Sequence, residues 1–444
     1  MDFSRRRFYL AEMDPPPTRH PNVVIVGAGF AGMEAAKALA GSRSEVTLID
    51  RHNHHCFQPL LYQVATAALS PADVAWPIRH ILRRQENATV LMAEVTGVDT
   101  AAHLVHTDSV TVHYDYLVVA TGATHSYFGH DRWAKFAPGL KRIEDATAIR
   151  RRFLIAFERA ELVADGNSRK RLLTFVIVGG GPTGVEMAGA MAEVARQTLA
   201  ADFRHIDPRT SRILLLEAGP RLLPAFPADL ARYAHDALEH MGVEVRTSTR
   251  VTDCDGDGIS LQDGQRIEAG TIMWAAGVVA SPAAAWVDAQ RDRTGRAKVG
   301  SDLSVPGKPN VFVIGDTAAV DTQGHPVPGV APAAKQMGRY VGRLIRSRIA
   351  GQPLNEPFRY RHQGDLATIG RRSAVVRLGR IQLKGFIGWL FWSVAHIYFL
   401  IGLRNRFIVA FTWLWDYITF QRGARLITRN DPEINRSGGE ATSI

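Results

Sequence analysis

Two short runs, Gly27-Ala28-Gly29-Phe30-Ala31-Gly32 and Gly179-Gly180-Gly181-Pro182-Thr183-Gly184, stand 152 residues apart. In such a GxGxxG run the first glycine makes a tight turn, the second lets backbone approach a pyrophosphate, and the third lets helix pack closely on strand. The helix that follows aims free N–H groups and a partial positive charge at the phosphates. Each run has an acid downstream to meet ribose hydroxyls: Asp50, 23 residues after Gly27, and Glu217, 38 residues after Gly179. The second spacing exceeds the usual ~20. It requires a longer helix or an inserted loop, for which "ADFRHIDPRTSR" is the candidate.

These residues need elements to hold them, and the chain supplies them twice. "VVIVGAGFAGMEAAKAL" aligns with "FVIVGGGPTGVEMAGAM", and "YLVVATGA" with "TIMWAAGV", each pair a buried strand leading into a small-residue turn. Between them lie stretches with two-residue alternation and turn dipeptides, which predict small β-meanders. "NVFVIGDTA" follows the second half and ends in Gly315-Asp316 rather than a third fingerprint, so it returns to the first half. A carboxylate there suits the hydroxyls of a flavin's ribityl chain, which predicts FAD in the first half and NADH in the second. The fold class is α/β, two Rossmann-like dinucleotide-binding domains with one inserted in the other, plus a C-terminal helical membrane-attachment region. The expected boundaries are a leader at 1–20, FAD-binding residues 21–140 and 301–345, an inserted NADH-binding domain at 141–300, and the membrane-attachment region at 346–444. Glu217 would repel a 2′-phosphate and favour NADH over NADPH, although Arg221 lies close by in sequence.

The charge is uneven. From residue 339 onward there are 17 Lys/Arg against 6 Asp/Glu, whereas the preceding residues carry 36 against 37. The basic tail surrounds "GFIGWLFWSVAHIYFLIGL", nineteen residues without a formal charge. About 20 apolar residues are needed to cross a bilayer. The next apolar run, "FIVAFTWLW", is too short to return, and arginines flank both sides. Trp389, Trp392, Tyr398, Trp413, Trp415 and Tyr417 supply rings of the kind found at headgroup depth. The pattern predicts two helices lying on an anionic phospholipid surface; a single crossing and an internal core or dimer contact are the alternatives. No nucleic-acid module accompanies the basic residues. "SRRRFYL" resembles a twin-arginine signal but lacks the apolar segment that should follow, so residues 1–20 read as a disordered leader. Only Cys56 and Cys254 occur, with no CxxC, which argues against a redox disulfide. The histidines of "RHNHHCF" lack a second ligand cluster, so that segment reads as a cofactor-edge loop without metal.

Together with the fingerprints, "FQPLLYQVATAALSPADVAWPIR", "PGVAPAAKQMGRYVG" and "ATIGRRSAVVRLGRIQLKGFIGWLFWSVAHIYFLIGLRNRF" resemble the type II, non-pumping NADH:quinone oxidoreductases, over about residues 20–430. The resemblance implies noncovalent FAD, NADH as substrate, a membrane quinone as acceptor, a homodimer, and residence on the cytoplasmic (inner) face of the plasma membrane. It places Glu186 beside nicotinamide and flavin, and Lys335 and Gln336 near the isoalloxazine and the quinone. The FAD-contacting set becomes Gly27, Gly29, Phe30, Ala31, Gly32, Asp50, Arg51, Gln63, Val95, Ala120, Thr121, Gly122 and Asp316. The NADH set is Gly179, Gly181, Pro182, Thr183, Gly184, Glu217, Ala276 and Gly277. Pro332 stands where the family often has a glutamine. Two alternatives stay open: Glu186, like its repeat partner Glu34, could serve the helix dipole, and a soluble acceptor (peroxide or disulfide) or a sulfide:quinone relative could replace the quinone reading.

Overall fold

The computed structural model describes residues 20–427 except 353, 355, 401 and 420–422. Nearly all of the leader, and Arg422, lie outside the described residues.

The first half is built on strands β1 (Asn22–Val26), β2 (Glu45–Asp50), β3 (Ala88–Met92) and β4 (Tyr116–Val119), with helix α1 (Phe30–Ala38) after the first fingerprint. The second repeats the plan with β5 (Thr174–Val178), helix α2 (Pro182–Glu193), β6 (Arg212–Leu216), β7 (Val243–Arg246) and β8 (Thr271–Trp274). Strand β9 (Lys308–Val313) returns to the first sheet, pairing parallel to β4 through Val311 and Leu117. The sheet orders are β9-β4-β1-β2-β3, with a short antiparallel edge at Ser304–Val305, and β7-β6-β5-β8. Near-continuous Val/Ile/Leu runs fit these strands because a parallel sheet is covered on both faces. Register confirms the repeat at the level of residues. Val23 lies opposite Val46 and Tyr116, and Phe175, 152 positions later, lies opposite Ile213 and Thr271. Both expected meanders form, as three-stranded antiparallel sheets within 95–113 and 251–268.

The chain returns to the first half earlier than residue 301. Ala283, Ala284, Val287 and Ala297 are buried in the core of β1 and β4, and Ala297–Lys298 pairs with Ala318–Ala319. The segment 281–300 thus belongs with the first half. The Ser281-Pro282 step that opens its short apolar helix marks a turn but not a change of half, so the boundary is set by what the helix packs against. The long interval between Gly179 and Glu217 is filled by a π-turn at Val194–Thr198 that prolongs α2, then by the expected loop.

Helix α3 (Ala331–Ile349) crosses α1 at close range. A Cβ on Gly338 would sit 2.1 Å from the Ala31 carbonyl oxygen, and one on Gly342 2.6 Å from the Ala38 Cβ. The spacing of these glycines therefore explains the "KQMGRYVG" motif as a contact surface between helices. A three-stranded antiparallel sheet follows, β10 (Asp365–Thr368), β11 (Ala374–Leu378) and β12 (Ile381–Lys384), then helices α4 (Gly385–Phe399) and α5 (Leu403–Thr419). The uncharged nineteen-residue run is broken at Leu400, which is extended, and at Gly402, whose φ is +83°. Among the described residues no helix is long and apolar enough to cross a membrane.

Candidate functional site

The two fingerprints fold into matching cradles. Gly27 and Gly179 have φ of +101° and +114°, and a Cβ on Gly32 or Gly184 would lie 1.8 Å from the carbonyl oxygen of Gly27 or Gly179. Gly29 and Gly181 cap α1 and α2 without a side-chain partner, and a Cβ on either would meet nothing within 4 Å. That leaves first-turn N–H groups facing open space, a fit for a pyrophosphate. In both halves the strand-end acid is tied to the second fingerprint residue. Asp50 accepts from the Ala28 N–H (2.7 Å) and the His52 N–H (2.8 Å); Glu217 accepts from the Gly180 N–H (2.6 Å) and the Gly219 N–H (2.6 Å). Burial pushes the Asp50 carboxyl up, but the His52 and Ala28 hydrogen bonds outweigh it and hold it below the ordinary range. Arg221 donates to the Pro224 carbonyl (3.0 Å) instead of pairing with Glu217.

In the first cradle Gly315 packs against Ala31, and the half-buried Asp316 carboxylate makes no hydrogen bond or ion pair among the described residues. An unpartnered acceptor at this point fits the hydroxyls of a ribityl chain. Thr121 bonds Ser281 (2.5 Å) and lies 3.4 Å from Thr317, which donates to the Gly122 carbonyl (3.0 Å), fixing the Ala120-Thr121-Gly122 turn. At the matching turn of the second half, the Ser126 N–H donates to Gly277 beside Ala276 (3.1 Å). Val95 is buried at the start of the first meander, and Arg51 pairs at 3.5 Å with Glu94 at the surface.

Glu186 and Glu34 occupy the same helical position, the fifth, which lies beyond the first turn where a dipole acts strongly. Their surroundings differ. Glu34 bonds Arg339 (2.6 Å). Glu186 is buried, contacted through a long 3.4 Å hydrogen bond from the Thr368 N–H to its Oε1, and burial pushes its carboxyl up to about 8. A carboxyl that keeps its proton at neutral pH is a proton-holding group, and the dipole role does not account for its burial.

Lys335 is a second perturbed group. Its ammonium lies 5.1 Å from the Phe30 ring centre, 6.0 Å from Phe57 and 4.9 Å from Phe399. Burial lowers its pKa to about 8, with Glu34 opposing and Arg339, Lys37 and Arg406 assisting. Aromatic faces favour the cation that burial disfavours. The expected companion, Gln336, is used otherwise: its amide donates to the Arg361 carbonyl and accepts from the Arg361 N–H, both at 2.9 Å. It clasps the chain that follows α3 rather than presenting its amide to a ligand. Gln63 is also turned to structure, donating to the Tyr62 hydroxyl (2.9 Å) and accepting from the Trp413 indole (2.7 Å).

That contact explains the "FQPLLYQVATAALSPADVAW" motif. Asn405 bonds the Ala72 and Asp73 carbonyls (3.3 and 3.2 Å), Gly402 lies against Trp76, and Trp413 reaches Gln63, so this segment seats the helical pair. Three of the expected headgroup rings are consequently inside. Trp392 is 1% exposed, and with Trp389 and Trp413 it lines a cleft between α2, β10 and the helical pair. Tyr398 and Trp415 are exposed, as are Phe386, Ile387, Leu390, Val394, Phe407, Phe411 and Leu414. The side chain of Tyr417 lies outside the described residues. The sequence set omitted Phe57, Thr368, His396 and Phe399, although each lies inside a motif that carries the resemblance: Phe57 in "FQPLLYQ", Thr368 in "ATIGRRS", and His396 and Phe399 in "VAHIYF".

Both cysteines are free, and burial pushes each thiol up to about 12. Neither forms the thiolate that disulfide chemistry uses. His55, from the histidine-rich loop, bonds the Ala28 carbonyl (2.7 Å) and supports the first fingerprint from beneath.

Residues 21–338 match the family model of pyridine nucleotide-disulphide oxidoreductases, and residues 362–422 that of the NDH2 C-terminal domain. The type II NADH:quinone oxidoreductase Ndh of Mycobacterium tuberculosis is 45% identical, covering 93% of this chain and 91% of the relative. The external NADH-ubiquinone oxidoreductase 2 of Saccharomyces cerevisiae mitochondria is 30% identical, over 89% of this chain and 80% of its own. Among solved structures, NDH2 of Plasmodium falciparum in complex with NADH superposes with a TM-score of 0.83 at 22% identity, covering 93% of this chain and all of that one.

Proposed function

Because the chain belongs to the type II NADH:quinone oxidoreductases, we propose that its parts divide the reaction as follows: FAD in the cradle of Asp50 and Asp316, NADH in that of Glu217, and the quinone at the aromatic enclosure around Lys335. The enzyme carries FAD, oxidises NADH and reduces a quinone. Bound FAD supplies the hydride acceptor and the two-electron donor. What carries the assignment of residues is the meeting of three units. Glu186, from the NADH half, touches Thr368 of the C-terminal sheet; Lys335, from the FAD half, is covered by Phe399 of the C-terminal helix.

Each residue then has a task that its surroundings support. Asp50 and Glu217 orient ribose hydroxyls, and the first turns of α1 and α2 hold pyrophosphates. Quinone reduction takes up two protons, and Glu186 holds one at neutral pH, on Oε2, since Oε1 accepts from Thr368. Lys335 presents a cation and N–H donors among aromatic rings, where partial burial strengthens a charge interaction. Free thiols at Cys56 and Cys254 give no support to a disulfide or persulfide route. The reading is tested by anaerobic titration: NADH bleaches the flavin, NADPH does so far less readily, and a short-chain ubiquinone or menadione restores the colour. Reoxidation by peroxide or a disulfide, with none by either quinone, would refute it.

We further place the exposed apolar faces of α4 and α5 in the surface layer of the membrane, at the cytoplasmic face, with the flanking arginines on anionic headgroups. A homodimer belongs to the same reading and is checked by sedimentation. Ile387 is 66% exposed and Phe411 65%, so replacing both by serine leaves the core untouched. Burying one such side chain is worth about 1.5–3 kcal/mol. The double variant is therefore expected to partition into phosphatidylglycerol vesicles at least ~10²-fold more weakly, from about 3 kcal/mol lost. Co-sedimentation equal to the parent protein would rule out this face.

A further inference from the structure

The inward face of α4 carries Trp389, Trp392 and His396, opposite the exposed Ile387, Val394 and Tyr398. His396 is the titratable member of this face. Its Nδ1 lies 2.8 Å from the Trp392 carbonyl oxygen. A carbonyl only accepts, so Nδ1 carries the hydrogen and Nε2 of the neutral ring is a bare lone pair. Burial pushes His396 down to about 4, so the ring is neutral in the physiological range.

That lone pair is unused but reachable. Nε2 of His396 has no hydrogen-bond partner among the described residues, yet it is not sealed by packing as Nε2 of His55 is. The ring stacks on Trp392 (4.0 Å between centres, 27°) and meets Phe57 edge-on (6.2 Å, 85°). Phe57 is also a wall of the Lys335 enclosure, its ring centre 6.0 Å from the ammonium. One aromatic ring is thus flanked by a group that only donates and a group that only accepts.

We propose that His396 is a specificity-determining residue that distinguishes the two redox states of the bound quinone, its Nε2 accepting the O–H of the quinol. This rests on the quinone occupying the enclosure proposed above. The chemistry is asymmetric. Lys335 donates to an oxygen of either form, whereas a quinone carbonyl facing Nε2 sets two lone pairs against each other. A quinol hydroxyl turns its hydrogen to Nε2 and satisfies it. The product is therefore held more firmly than the substrate, and turnover slows as the quinone pool becomes reduced.

The test uses the FAD-loaded enzyme, with a short-chain ubiquinone and its quinol, and NADH oxidation as the readout. In His396→Phe the quinol inhibition constant is expected to rise roughly five- to tenfold, the worth of one hydrogen bond, while KM for the quinone moves less than about twofold. His396→Gln, which keeps an acceptor oxygen, restores part of the inhibition. Flavin content and bleaching by NADH report that each variant is folded, and His396→Leu serves if the larger ring does not fit. An unchanged inhibition constant, or equal rises in that constant and KM, overturns the proposal. Failure of the quinone to reoxidise the parent enzyme refutes the underlying reading instead.

Discussion

Replacing Gly184 with valine is expected to abolish reduction by NADH while the protein still carries its full complement of FAD. The third glycine of the second fingerprint has no room for any side chain, since even a Cβ would lie 1.8 Å from the Gly179 carbonyl oxygen. The turn and the start of α2 must separate, and the N–H groups that face the pyrophosphate move with them. A loss of this size is a misplacement of the substrate site, for which ~10²-fold or more in kcat/KM is ordinary. The first cradle has its own sheet and core, so FAD binding persists. The mirror change, Gly32→Val, is expected to release FAD from the purified protein. Flavin absorbance and stopped-flow bleaching by NADH check both. If Gly184→Val lost FAD and Gly32→Val retained it, the two nucleotides would have to exchange places.

Glu186→Gln is expected to lower quinone turnover by about 10²-fold, the usual worth of a positioned proton donor, and to reduce bleaching by NADH much less. The pH profile sharpens the assignment. Because the carboxyl is pushed up to about 8, turnover of the parent should fall as pH rises through that value, and the variant should lose this step. Stability follows with a definite sign. The folded form holds the proton to about pH 8 and the unfolded chain only to about 4.5, so the unfolded state binds fewer protons between those values. Stability is therefore full below the lower value and declines up to the higher, at up to ~1.4 kcal/mol per pH unit. Glutamine removes that decline. Thermal melts at pH 5 and pH 8 should show the variant gaining on the parent as pH rises; parallel melts at both pH values would show that Glu186 is not held neutral.

The two cradles were legible because their signals are local. A GxGxxG run, the apolar strand before it and the acid at the next strand end lie within one supersecondary unit, so residue type and spacing suffice. The same holds for the return of β9, whose register with β4 follows from a buried strand ending in Gly315-Asp316. Gln63 and Gln336 show the limit. Each lies in a family motif, but an amide serves structure or ligand equally well, and the partners that claim them, Trp413 and Arg361, are 350 and 25 residues away.

By itself the sequence determined the paired nucleotide folds, the insertion of one in the other, FAD and NADH as the nucleotides they serve, and a basic, apolar tail apart from them. Tertiary structure alone decided what stands at the junction. Glu186 is neutral because the fold buries it, a burial that outweighs the opposing hydrogen bond from Thr368, 182 residues on, whereas Glu34 at the same helical position meets Arg339 in an ion pair. The faces of α4 were also undecided in sequence: a helix apolar on every side has no periodicity to say which rings turn inward. Docking onto the 57–77 segment settles that Trp392 and His396 turn inward and Ile387 and Val394 face away, because burial belongs to the pair of surfaces in contact rather than to either strand of sequence.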